Sequence, residues 1–180
     1  MQLYSSTNYL ISMKTDYSVV TLSEISSIDQ LLKNIDFLSI DNYKISSWNV
    51  IYFHSAPFMD SLIYPCIFYL MNFFKETELN IFCNPIRRNT KYLKVSEISD
   101  SFENFNSILM EHNFIYTGGY GYSGNKKIGF VSCADIEVFS IGYESDSISH
   151  LPDLCINNPL AIPKDFALKL LNEHLEFLKG

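Results

Sequence analysis

The sequence predicts an α+β fold: a single domain over residues 1–180, with a mixed or mostly antiparallel sheet packed with about four helices. Three observations carry this. The 180 residues are 47% apolar with fourteen Phe and twelve Tyr, enough for one aromatic core and too apolar for general disorder. Segments of β-like and helical periodicity alternate along the first two thirds of the chain. The last strand-like runs are joined by short connections, which only antiparallel neighbours allow.

In chain order, "YLISMKTDYSVVTL" reads as one or two strands broken near Lys14–Asp16. In "SSIDQLLKNIDFL", Ile28, Leu31, Leu32, Ile35 and Leu38 recur at helical spacing, with Ser26 or Ser27 as the cap. "WNVIYFH", Trp48 to His54, is a continuous apolar run that fits a central strand covered on both faces. A largely buried helix is expected from Asp60 or Ser61, with Pro65 in its first turn. "LNIFC" is a short strand. "NPIRRNTKYLK", with Arg87, Arg88, Lys91 and Lys94, is the one basic cluster and reads as a solvated loop.

"SDSFENFNSILMEHN" is the clearest helix. Asp100 and Glu103 make a capping-box-like start, Phe102, Phe105, Leu109 and His112 share a stripe beside Ile108, and Glu103, Ser107 and Glu111 lie opposite. "IGFVSC" and "DIEVFSIGY" are strand-like. Residues 144–162 have turn residues and no period, and read as a long surface loop. A final helix starts near Pro163, with Leu168, Leu171, Leu175 and Leu178 as its buried stripe.

The chemical motifs are few. "YTGGYGYSGNKKIGF" holds five of the seven glycines and a literal G-x-G-x-x-G at Gly119, Gly121 and Gly124. A dinucleotide fingerprint requires a helix after that turn, because the pyrophosphate sits on a helix N-terminus; the β-like "KKIGFVSC" follows instead. A kinase-type loop lacks its later motifs here, and Asn125 stands where a P-loop has lysine. The glycine run is therefore expected to be a hairpin or omega-like loop whose glycines supply positive φ, with Tyr116, Tyr120 and Tyr122 displayed at its ends.

Asp135 and Glu137, two apart on an expected strand, share a face and form a paired-carboxylate candidate. Phe139 and Ile141 fall on that same face, which needs a bulge to reconcile. The cysteines Cys66, Cys83, Cys133 and Cys155 lack paired metal spacing and read as reduced, buried thiols. His54, His112, His150 and His174 are scattered, with packing or capping roles expected at His54 and His112 and a surface role at His174. No catalytic residue, metal or cofactor is expected.

Charge is the most informative property. The net charge is −7; residues 1–94 carry eight acids and eight bases, whereas residues 95–180 carry twelve acids and five bases. Between Lys127 and Lys164 no Lys or Arg occurs, while Asp135, Glu137, Glu144, Asp146 and Asp153 do. Such a half repels nucleic acid and attracts a basic protein. There is no basic leader before an apolar run, and the fourteen-residue run Ser61–Phe74 is shorter than the roughly 20 residues a membrane helix needs. A cytoplasmic location and no membrane partner are expected.

The acidic window and a usage of twenty Ile, fifteen Asn and eleven Lys against two Arg and four Ala give the chain a resemblance. It resembles bacterial toxin-immunity proteins of the contact-dependent growth inhibition type, loosely over its whole length and through no motif. The resemblance implies a small cytosolic inhibitor that masks the active site of a cognate toxin, frequently a basic nuclease. On the charge and loop arguments the expected partner-binding residues are Tyr120, Tyr122, Asp135, Glu137, Glu144 and Asp146. The alternatives are an enzyme of unrecognised type using Cys–His or carboxylate chemistry, or an adaptor or structural protein.

Overall fold

The computed structural model describes residues 16–21, 48–55, 59–83, 91–96, 98, 100–113, 118–144 and 151–177. The expected helix over 26–38, and with it Tyr116, Arg87, Arg88, Asp146 and His150, lies outside the described residues.

Eight strands form one antiparallel sheet: β1 (Asp16–Thr21), β2 (Trp48–His54), β3 (Glu78–Cys83), β4 (Lys91–Ser96), β5 (Gly119–Ser123), β6 (Ile128–Cys133), β7 (Val138–Glu144) and β8 (Ala161–Ile162), in the order β1-β4-β3-β5-β6-β7-β2-β8. Among the described residues four α-helices accompany it: α1 (Tyr64–Phe73), α2 (Phe102–Glu111), α3 (Asp153–Ile156) and α4 (Lys164–Phe177). The expected α+β class is thus observed.

Strand alternation divides the side chains between two layers. One face sends Phe53, Leu79, Ile81, Leu93, Val95, Phe130, Phe139 and Ile141 into a core closed by Tyr64, Ile67 and Leu70 of α1 and Phe105, Ile108 and Leu109 of α2. The Tyr64 and Phe105 rings, 4.8 Å apart, join the two helices. On the other face Tyr52 and Val138 meet Ala167, with Leu170 and Ile162 against them, so α4 covers the β2 end of the sheet.

Several local expectations need correction. β2 is the penultimate strand rather than a central one; β8 pairs only with Tyr52 and Phe53, and those two residues are the buried ones. Lys91 and Lys94 lie in a strand, where Lys94 Nζ pairs with Glu78 Oε2 across the ladder at 2.7 Å. The cap of α2 is Ser101, which accepts from Asn104 N at 3.3 Å, because its extended backbone (ψ 113°) aims the hydroxyl at the first turn. α1 begins at Tyr64 with Pro65 in its first turn, after a turn in which Asp60 Oδ1 accepts from Leu62 N. α4 buries Ala167 and Leu171 and half-buries Leu168, Leu170 and His174; of the expected stripe, the Leu175 side chain and Leu178 lie outside the described residues. The 144–162 segment contains α3 and β8.

The glycine run is a hairpin, yet none of its described glycines has positive φ. Gly119 and Gly121 are strand residues of β5 and Gly129 belongs to β6. The turn's left-handed residue is Lys126, at φ 58°. Ser123 Oγ organises that turn by accepting from Lys127 N at 3.1 Å and Ile128 N at 3.2 Å. Gly121 is required for space instead: it faces Phe130 across the ladder, and the ring lies directly over its Cα.

Candidate protein-binding surface

The acidic window folds into β6, a tight connection, β7, α3 and β8. The connection is a 3-10 turn, Ala134–Ile136, ending in Glu137 at φ 53° and ψ 39°. A left-handed non-glycine residue costs roughly 1 kcal/mol. Two backbone bonds hold it there: Glu137 N donates to Ala134 O at 3.2 Å, and Ser55 N donates to Glu137 O at 2.8 Å. The expectation that Asp135 and Glu137 share a strand face is therefore corrected. The turn shifts the alternation, so Phe139 and Ile141 point into the core while both acids reach solvent.

Asp135 is 77% exposed with Oδ2 3.8 Å from Nε2 of His174, and Glu137 is 53% exposed with Oε2 3.3 Å from Nε2 of His54. Glu144 stands apart. Seven residues of strand separate it from Glu137, roughly 20 Å at strand rise. It is half-buried and paired with Lys127, whose carbonyl also accepts from Glu144 N. Glu144 is thus neutralised from within the fold and does not join the other acids.

The two tyrosines also differ from expectation. Tyr122 is buried, stacked on Phe82 at 5.7 Å, while Phe82 in turn stacks on Tyr92 at 4.8 Å. Burial pushes its hydroxyl pKa up to about 12, with the fields of Tyr92 and Glu78 adding to it. Tyr122 is a core residue rather than a displayed anchor. The hairpin puts it there because alternate β5 side chains face opposite layers, and its layer is closed. Tyr120, on the same face, is half-buried, and burial raises its pKa too.

The structure adds an element that sequence patterning missed. α3 carries Leu154 and Ile156, which are 43% and 58% exposed, and Leu62 beside it is 47% exposed. Asp153 stands exposed at the start of α3, and Asp60 binds the Leu62 amide. Four hydrogen bonds run from this patch to His54, the neighbour of Glu137. His54 N donates to Leu160 O at 2.8 Å, and Leu160 N donates to Asn158 Oδ1 at 3.0 Å. Asn158 Nδ2 then donates to Leu62 O at 2.7 Å and to Leu154 O at 3.4 Å. Asp153, Leu154, Ile156 and Leu62 thus form an exposed patch around α3, while Asp135 and Glu137 stand on the β6–β7 connection, beside His174 of α4 and His54 of β2. The signal was present in "LPDLCINNP", a proline-started apolar tetrapeptide too short for periodicity to reveal.

Other expected sites resolve locally. Cys66 and Cys155 are buried free thiols, and Cys133 is a half-buried one. His112 packs edge-on against Tyr17 at 5.5 Å. Among the described residues no group of three His, Cys, Asp or Glu side chains has metal-binding geometry, and no helix is long and apolar enough to cross a membrane. In comparison with known proteins, no protein-family model, curated protein or solved structure matches this chain.

Proposed function

We propose that this chain is a binding protein whose exposed acids and α3 patch dock onto a basic protein partner, and that the partner is a cognate toxin domain whose active site it masks. One observation carries the reading. The base-free stretch between Lys127 and Lys164 exposes both acids, Asp135, Glu137 and Asp153, and aliphatics, Leu154 and Ile156.

That pairing suits a protein surface better than a polyanion. Exposed carboxylates raise the encounter rate with a cation-rich partner, and the leucine and isoleucine side chains give it desolvated contacts that slow departure. The anchors are then Leu62, Leu154 and Ile156, with Tyr120 at most on the rim and Glu144 outside the surface.

The test is co-expression with the product of the neighbouring gene. The reading expects rescue from that product's toxicity and a complex of the two chains that survives purification. Toxicity undiminished by a soluble, folded chain overturns it.

A further inference from the structure

The core contains a polar focus built around two cysteines and Asn158. Cys66 of α1 and Cys155 of α3 are fully buried. Each thiol shifts the protonation of the other, Cys66 downward and Cys155 upward, so the two side chains are neighbours. Cys66 Sγ also lies 3.5 Å from the carbonyl oxygen of Leu154, the residue that precedes Cys155. Asn158 Nδ2 approaches the same sulfur at 3.9 Å, and Asn158 is itself buried and fixed by bonds to Leu62 O and Leu154 O. A groove of about 420 Å³ opens between β2, β8 and α3, lined by Val50, Ile162 and Ile156 among others, and Cys155 forms part of its wall. Of the two buried sulfur residues, Cys155 borders this route for a small molecule, and Cys66 is its neighbour.

We propose that Cys66 and Cys155 are an oxidisable dithiol, a modification site at which hydrogen peroxide forms a disulfide joining α3 to α1. The inference does not rest on the binding reading. Cys66 is the attacking sulfur. The neighbouring Cys155, and secondarily Asn158, hold its pKa below the ordinary thiol value against the opposing effect of burial. The Cys155 thiol is pushed up, first by Cys66 and then by burial, so it keeps its proton until the second step.

The chemistry balances with the peroxide as oxidant. The Cys66 thiolate attacks one peroxide oxygen; the S–O bond forms as the O–O bond breaks, and the departing hydroxide takes up the proton that Cys66 gave, leaving as water. The Cys155 sulfur then attacks the sulfenyl sulfur of Cys66. The S–O bond breaks, and the hydroxyl leaves as a second water with the Cys155 proton. Two thiols are oxidised by two electrons, and the peroxide is reduced to two waters. Because Leu154 and Ile156 flank Cys155, the disulfide also fixes the exposed part of α3.

The experiment treats the full chain with hydrogen peroxide, then maps peptides after blocking free thiols with iodoacetamide. The expected product has lost two hydrogens in intact mass and has its Cys66 and Cys155 peptides joined, while Cys133 remains alkylated. Closing a loop of roughly 90 residues raises Tm by roughly 5–10 °C, reversibly with dithiothreitol. Cys66→Ser and Cys155→Ser each abolish the link. If a variant does not fold, the wild-type map decides. Cys66 and Cys155 both alkylated after peroxide, or joined only when urea is present, overturns the proposal.

Discussion

Gly121→Ala isolates why the glycine run exists. An added Cβ at position 121 enters the Phe130 ring, and even its third-nearest ring atom, Cε2, would be only 2.6 Å away. Phe130 cannot retreat, because it is fully buried and stacked on Phe139 at 5.5 Å. Replacing glycine in a strand gains about 0.5–1 kcal/mol by restricting the unfolded chain. Overpacking costs about 1–3 kcal/mol, and a displaced aromatic stack about 0.5–1.5 kcal/mol more. The net is a destabilisation of about 1–3 kcal/mol. For a chain of this size that lowers Tm by roughly 3–10 °C. Urea denaturation followed through the single tryptophan, Trp48, measures it. The companion Phe130→Leu makes room for the methyl, so the double variant should be more stable than the two single effects summed, by about 0.5–3 kcal/mol. Gly121→Ala equal to wild type, or strictly additive with Phe130→Leu, refutes the close-approach argument and returns these glycines to a conformational role.

Two further outcomes follow from buried polar groups. Glu76 is buried, and its Oε2 accepts from Asn125 N at 3.1 Å and Nδ2 at 3.3 Å, holding the β5–β6 hairpin tip to the corner after α1. Glu76→Ala should cost about 1.5–3 kcal/mol and speed amide exchange at residues 124–127, as hydrogen-exchange mass spectrometry would report. Tyr122 has a folded pKa of about 12, raised by burial, so its share of stability is intact below pH 10 and is lost as pH climbs toward 12. Tyr122→Phe should flatten that alkaline decline in Tm, and an unchanged decline would contradict the burial of the hydroxyl.

Legibility in the sequence followed how much of each element's surroundings lay nearby in the chain. β2, β3, β6 and α2 were readable because a short apolar β-forming run or a 3.6-residue stripe marks each of them. β4 was not. Leu93 and Val95 do alternate with Tyr92 and Lys94, but adjoining arginines and lysines made the stretch resemble a loop, and the partner that pairs with Lys94, Glu78, lies on another strand. The acids at 135 and 137 were read as strand residues sharing a face, because the 3-10 turn that holds them depends on a bond from Ser55, which no local pattern announces. Charge imbalance was visible at once. Its geometry was not: Glu144 is cancelled by Lys127 across a hairpin, and Tyr122 is enclosed by aromatic neighbours on β3 and β4. Exposed Leu154 and Ile156 were the least legible, since only the folded structure reveals that nothing in the described core takes them in.

The central claim is tested most directly by stopped-flow association with the neighbouring gene's product across ionic strength. Reversing Asp135, Glu137 and Asp153 to lysine should slow association at low salt by at least roughly tenfold and flatten its salt dependence, within the range electrostatic steering supplies. Glu144→Lys, at the far end of β7 and outside the proposed surface, should leave the rate near wild type. Equal rates for the triple reversal and wild type, or a larger loss from Glu144→Lys than from the triple, would contradict docking through these acids.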